Sequence, residues 1–533
     1  MAAAGHVQAL LSPSTWPTSV YALLFTLLVY GISELARRAP FPSKAPRLVD
    51  SIPILGALRF FTARGQFLSQ SRDISPSGQY SFYAGKKQII GLSGPDGRRT
   101  FFESRELNFP AGYAVLFSAQ PAVKAGDPFY GDGASAKLLR FMNKLLRREF
   151  LGQRVPMYAS DAREAMESIV KRGSSSGATA AASVVMDPFE DMYRLVYRLT
   201  MRTVGCDEIA TDLDQLRTTL SLFEAIDSGA TASRIIFPWL PTLGQARQLW
   251  SGYRMYRILE GIVADRRRTG RRGNDGLQEL LDQDTDMFGI VESIIASLFA
   301  GLVNSGINAA WMLCFLAHDR KLSLGGGGGG GGGGGSGWYD RVRREVDAVV
   351  ARHRVSDDET PADALARLTL ADWEAEFPSI DLALRETIRF TITGCGFRQN
   401  LSNEDVPIGD SGEVIPRGAF AVYHFDDVLM NSKYYPEPER WDPGRYLPGR
   451  ADDKNAGTHG YIGWGSGRHP CLGMKFAKME MAITTAMFVA CFDFELCDEN
   501  VRHMTSLAGL IDRNKHSASK PDKKMYLKAT PRM

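Results

Sequence analysis

Cys471 sits in the segment Trp464-Gly-Ser-Gly467-Arg-His469-Pro-Cys471-Leu-Gly473, a glycine-rich loop placed directly before an amphipathic helix that begins near Met474. That arrangement presents a single thiolate to an iron atom. Glycines let the backbone fold closely over a flat ligand and aim its N–H groups at the sulfur, and the positive end of the following helix favours the anionic thiolate. A structural thiol needs neither glycines at two fixed offsets nor an imidazole two residues upstream. Pro470 narrows the loop's conformations and removes one backbone donor near the sulfur, which tunes the potential of a bound metal.

Two further constellations carry chemistry. In Leu384-Arg-Glu386-Thr-Ile-Arg389-Phe390 a carboxylate and a guanidinium lie three apart, on one face of a helix where they can pair. The stretch 289–317 is long and apolar, yet it holds Gly301 and Gly306, which are costly in a helix interior and signal a bulky group close to the backbone. Within it, Ala300-Gly301-Leu302-Val303-Asn304-Ser305 offers an amide that donates and accepts hydrogen bonds, then a hydroxyl one position later.

These residues need elements to hold them. Short apolar runs at 79–83 and 88–92 predict a hairpin. From residue 135 onward, apolar residues at three- and four-residue spacing predict helices at 135–149, 157–171, 188–204, 212–226 and 244–267, with helix resuming at 338–354 and near Ser379. The segment 109–129, rich in Phe, Tyr, Pro and Gly, has the composition of a loop that caps a pocket.

With 533 residues, 44% hydrophobic and 23% charged, the chain can bury a large core. A net charge of +3 points away from nucleic acid as a partner, and six scattered cysteines with no CxxC pair fit a reducing compartment without disulfides or zinc. No charged residue occurs between Val7 and Ser33, and 16–33 is apolar enough to cross about 27 Å of hydrocarbon as a helix. Arg37 and Arg38 follow, then Pro40, Pro42 and Pro46, so residues 1–40 read as a membrane anchor and hinge with the main body, 41–533, on the cytosolic side. Within that body, 325–337 is a glycine-rich insertion. Its unbroken run ends in Trp338 and Tyr339 rather than Lys and Ser or Thr, which excludes a phosphate loop and leaves a surface connection.

The Cys471 loop closely resembles the haem-ligand loop of the cytochrome P450 superfamily, with Trp464, Gly467, His469, Cys471 and Gly473 in the family's places. The resemblance implies a mainly α fold with small β-sheets, preceded here by a transmembrane helix. It also implies haem b with its iron held by the Cys471 thiolate, a ligand that favours O–O cleavage. Gly473-Met-Lys-Phe476-Ala477-Lys-Met-Glu480 matches the family's proximal helix. Glu386 and Arg389 are then expected to join Arg440, in Pro438-Glu439-Arg440-Trp441, as a buried ionic triad beneath the loop. Arg140 stands where the family often has an arginine that donates to a haem propionate, with His469 a second donor and Lys144 an alternative.

The distal helix departs from the family. The usual Ala-Gly-x-Asp/Glu-Thr-Thr/Ser places an acid and an alcohol where they relay protons to dioxygen, and Val303 and Asn304 replace them. Asparagine there is similar to sterol hydroxylases of bile-acid synthesis and to prostacyclin synthase. Two reactions stay open: monooxygenation of an apolar small molecule by hydroxylation or epoxidation, organised by Asn304 with Ser305, or rearrangement of a peroxide without a reductase. Lys137, Arg140, Lys144, Arg147 and Arg148, with Lys475 and Lys478, supply a basic face for NADPH-cytochrome P450 reductase. The glycine tract and the variant distal motif look most like fungal members serving secondary metabolism, single-pass proteins of the endoplasmic reticulum membrane.

Overall fold

Apolar residues at helical spacing build the two elements at the centre of the molecule, Pro188–Val204 and Met287–Leu324, which pack along each other for most of the shorter one's length. The computed structural model describes residues 17–116, 132–174, 183–228, 232–237, 239–324, 337–504, 506–507 and 509–532. Asp187 begins the first of these helices by accepting the N–H of Phe189, and Pro188 supplies a preset φ at the first helical position. Gly306 explains how close the pair can come: a Cβ there would lie 2.4 Å from the Tyr193 ring. Trp311, one of the largest fully buried side chains, donates its indole N–H to the Ser519 carbonyl at 3.0 Å, so the same helix also fixes the C-terminal region.

Around this pair run Arg148–Ser174, Leu213–Asp227, Leu243–Thr269, Trp338–His353, Pro378–Thr391 and Met474–Cys491, close to the predicted positions. One prediction differs. The expected 135–149 helix stops at Leu145, and a second begins at Arg148 and runs through Pro156 to Ser174. Pro156 costs that helix one N–H, but Val155, Tyr158, Ala159 and Ala162 are fully buried around it and hold it together.

The predicted hairpin forms as Tyr80–Ala84 and Lys87–Leu92, turning at Gly85 with φ of 60°. It belongs to a six-stranded sheet in the order Leu48–Asp50, Tyr80–Ala84, Lys87–Leu92, Phe420–His424, Cys395–Asn400, Leu107–Asn108. Lys87–Leu92 pairs parallel with Phe420–His424, which pairs antiparallel with Cys395–Asn400, so segments some 300 residues apart meet at the centre of the sheet. A three-stranded sheet joins Phe492–Cys497, Tyr526–Pro531 and Val184–Met186.

Thr18–Ala36 forms a 19-residue helix with no buried residue, long and apolar enough to cross a membrane. The start of the predicted anchor and the glycine run lie outside the described residues. Of the 109–129 segment, Phe109–Leu116 is helical and the remainder lies outside them as well.

Candidate active site

The loop around Cys471 is a two-residue hairpin. Gly465 pairs with Pro470 and Ser466 with His469, leaving Gly467 and Arg468 at the turn. Two glycines are required here. Gly465 has φ of 69° and a Cβ on it would lie 2.5 Å from the His469 carbonyl, while Gly467 has φ of 59° and its Cβ would lie 2.3 Å from the Phe102 carbonyl. Arg468 donates its N–H to that same Phe102 oxygen at 3.0 Å, which pins the turn to the neighbouring helix Gly94–Glu103. Trp464, packed at the edge of the main core, accepts the Cys471 N–H on its carbonyl at 2.6 Å and sets the height of the cysteine.

Cys471 itself is exposed, and Gly473 begins the helix that follows. The surrounding protein pushes its thiol above the ordinary value by burial, against the opposing pull of the Gly473 N–H. The helix start therefore assists the thiolate without producing it, and coordination to a metal supplies the rest by deprotonating the thiol outright.

Beneath the loop, Glu386 is fully buried and fully satisfied. Its Oε1 accepts from Arg389 Nη2 at 2.8 Å, Arg445 Nε at 3.1 Å and the Asp442 N–H at 3.0 Å, and its Oε2 accepts from Arg389 Nε at 2.8 Å and the Tyr446 hydroxyl at 3.0 Å. Burial opposes the charge on Arg389, and Glu386 more than offsets it, so the guanidinium is held above its ordinary value. The third member of this triad is Arg445 and not Arg440. Arg440 projects to solvent and pairs with Glu437 at 3.3 Å, and only its carbonyl turns inward, accepting from Arg389 and Arg445. The sequence carries the pattern Pro-x-Arg-aromatic twice, at 438–441 and at 443–446. The second copy is buried because Pro443–Tyr446 is a short 3-10 turn that aims Arg445 and Tyr446 together at Glu386.

The helix Met287–Leu324, which carries the distal motif, shows one open line. Ala300 and Asn304, four residues apart, are exposed although Leu302 and every residue from 305 to 317 is buried. Phe299 packs at 4.8 Å against Phe223 of Leu213–Asp227, and Val303 is half-buried beside it. Asn304 is thus the polar group on this line, and the structure separates it from Ser305. Ser305 is turned a third of the way round the helix and is buried toward Glu480 of Met474–Cys491, so it does not share the open face with Asn304. Sequence reasoning also passed over Asn308. Its Nδ2 donates to the Asn304 carbonyl at 2.8 Å and its Oδ1 accepts from Thr391 at 2.6 Å, which ties the turn holding Asn304 to the helix that carries Glu386 and Arg389.

A second missed residue is Arg398, in the strand Cys395–Asn400. It is 4% exposed, its Nε has no partner among the described residues, and burial pushes it down to about 10. Its guanidinium lies over Phe109 at 4.6 Å, and Phe109 stacks on His469 at 5.3 Å. His469 is in turn pushed down to about 4, by burial first and then by Arg398 and Arg468, so it is neutral near pH 7. A buried cation with an idle N–H beside a neutral imidazole lacks an anion, and a haem propionate is one of the right charge and shape. Arg140, by contrast, is exposed on Asp132–Leu145, and among the described residues nothing ties it to the Cys471 loop. Of the basic residues expected to face a reductase, Lys144, Arg148 and Lys478 are paired with Glu279, Glu374 and Asp381.

A glycine-tightened cysteine loop, a buried cation awaiting a carboxylate and an apolar helix face with one amide fit a haem-thiolate oxygenase. The chain belongs to the cytochrome P450 family, whose model matches residues 46–518. It is similar to the cytochrome P450 monooxygenase AacuE of Aspergillus aculeatus, at 31% identity over 95% of this chain and 96% of that one, and to the cytochrome P450 monooxygenase nsrP of Aspergillus novofumigatus, at 30% identity over 91% and 90%. A retinoic acid-bound cyanobacterial CYP120A1 shares the fold, with a TM-score of 0.66 and 17% identity over 92% of this chain and all of that one.

Proposed function

We propose that this cytochrome P450 monooxygenase hydroxylates or epoxidises an apolar small molecule in fungal secondary metabolism, with electrons from NADPH-cytochrome P450 reductase, at the endoplasmic reticulum membrane. The carrying observation is that the chain holds both a glycine-tightened Cys471 loop and, on a helix otherwise buried from 305 to 317, the open positions Ala300 and Asn304. Haem b would be held by Cys471 at the iron and by Arg398 and His469 at its carboxylates, and when bound it supplies the oxygen chemistry. The chain's own residues do the rest. Phe299, Ala300 and Val303 exclude water and offer an apolar surface to the substrate, while Asn304, with its carbonyl held by Asn308, presents an amide that orients a water or an oxygen atom. Glu386, Arg389 and Arg445 perform no chemistry and hold the loop's foundation at a fixed height.

Membrane attachment is supported from two directions. The exit of the Thr18–Ala36 helix is held to the hairpin by the Tyr83 hydroxyl on the Ala39 carbonyl at 2.8 Å and by Gln88 on the Pro40 carbonyl at 2.9 Å. The same hairpin reaches Ile235 through Lys87 at 2.8 Å, and just beyond Ile235 stand Trp239, Leu243 and Trp250, all more than half exposed. Exposed aromatics beside a spanning helix suit a lipid surface.

Purified full-length protein, reconstituted with the reductase and labelled dioxygen, tests the reading. One labelled oxygen atom in product, with turnover lost when NADPH is omitted, is the expected result. Turnover of a hydroperoxide with no reductase, and none with it, would replace monooxygenation by rearrangement.

A further inference from the structure

The last turn of Gly94–Glu103 holds the Cys471 hairpin at two places. At the tip of the hairpin, the Phe102 carbonyl takes the Arg468 N–H at 3.0 Å. The second hold runs through His459, twelve residues before the cysteine. Its Nε2 lies 2.9 Å from Glu103 Oε1 and its Nδ1 lies 2.6 Å from the Ser466 hydroxyl, so one imidazole bridges the helix end to the hairpin strand. Ser466 is the residue paired with His469 across the hairpin. A carboxylate only accepts, which puts a proton on Nε2. A hydroxyl donates or accepts, so the contact at Nδ1 survives in either charge state of the ring.

The ring is held in place against a backbone cost. His459 has φ of 59°, in the left-handed region that a residue with a Cβ avoids. Its neighbours leave little room for relaxation: the Tyr435 hydroxyl donates to the Gly460 carbonyl at 2.8 Å, and a Cβ on Gly460 would lie 2.0 Å from the Asp453 carbonyl. The His459 side chain is 7% exposed, and its ring lies 5.2 Å from that of Phe102, which packs in turn on Phe101 and Tyr423. The helix end is therefore a rigid post. The flank of the hairpin is looser. His459 and Ser466 border a cavity of about 470 Å³ together with Arg385, Asp453 and Tyr461, so hydrogen bonds hold this side where packing does not.

We propose that His459 is a positioning residue for the Cys471 loop: with Glu103 and Ser466 it forms a clamp that keeps the hairpin strand seated on Gly94–Glu103 and so fixes where the sulfur meets haem iron. It acts through Ser466 and moves no proton. A hairpin free to shift carries the sulfur with it, and a metal bond tolerates little displacement of its ligand. The inference rests on the haem-thiolate reading of this loop and is independent of the reaction that follows.

The test reads the ligand bond and not turnover. In the haem-loaded full chain, the thiolate-type band of the reduced carbon monoxide adduct is followed with time in dilute urea. Loss of the band should be several-fold faster in Ser466→Ala and in His459→Gly, the latter chosen because glycine accepts the left-handed backbone. The double variant should be no faster than the more affected single one, since both break one clamp, whereas unrelated losses of stability would add. Glu103→Gln keeps an acceptor for the Nε2–H and should stay near the wild-type rate, while Glu103→Ala should lose the band faster. Amide hydrogen exchange gives a second readout: it should rise at Gly467 and Arg468 in Ser466→Ala and His459→Gly and stay unchanged in Pro378–Thr391. An unchanged rate of band loss in those two variants, additive effects, a Glu103→Gln chain as labile as Glu103→Ala, or exchange rising equally in Pro378–Thr391 overturns the clamp. Should His459→Gly fail to take up haem, Ser466→Ala, which removes only a hydroxyl, decides alone. A wild-type chain that binds haem without the thiolate-type band refutes the thiolate reading itself; a wild-type band with unaffected variants refutes the clamp alone.

Discussion

On the proximal side, beneath Cys471, five donors converge on the two oxygens of Glu386, and both arginines that serve it are satisfied by carbonyls as well. On the distal side a single amide interrupts an apolar line, and Ser305 beside it is turned away toward Glu480. The two halves solve different problems. A buried charge is tolerable only when every lone pair and proton is answered, which makes the proximal side rigid and intolerant of substitution. A site that must admit substrate and move protons has to leave groups unanswered, so its chemistry rests on few residues.

That contrast can be broken experimentally. Cys471→Ala should have the largest effect, with loss of the thiolate-type band of the reduced carbon monoxide adduct and of all reductase-driven turnover; a persisting band would place the ligand elsewhere. Arg445→Ala leaves Glu386 short of a buried partner and should cost about 3–5 kcal/mol, read by thermal unfolding and by haem retention. Gly306→Ala drives a methyl into the Tyr193 ring and should cost about 1–3 kcal/mol, which a smaller residue at 193 would partly restore. Asn304→Ala should leave stability unchanged and lower product formed per NADPH by about fivefold to tenfold, the worth of one hydrogen bond. Arg440→Ala should be nearly silent, within about 0.5 kcal/mol, because its pair with Glu437 is exposed. Equal effects at 440 and 445 would contradict the assignment of the triad.

How legible each half was in the sequence follows from how local its constraints are. The Cys471 loop was readable because Gly465 and Gly467 enforce its shape within a few residues of the cysteine. Glu386 and Arg389 are one helical turn apart and were readable for the same reason. Arg445 was missed since two copies of one pattern stand five residues apart, and only the 3-10 turn at Pro443 decides which is buried. Arg398 had little local signal, since Gln399 and Asn400 of the same strand are polar too, and its meaning depends on sheet pairing that carries Cys395–Asn400 to Phe109 and His469. The separation of Asn304 from Ser305 was available from helical phase alone, because adjacent residues on a helix point about 100° apart.

Only Arg37 and Arg38 lie between the end of the Thr18–Ala36 helix and Ala39, whose carbonyl is clasped by Tyr83. Two residues give at most about 7 Å of slack. With that helix in a bilayer, as proposed, the body would be held on a short leash, close to the membrane plane and restricted in tilt. Its search for an electron donor on the same surface would then take place in two dimensions. The chain has given up reach for a constant presentation of its face.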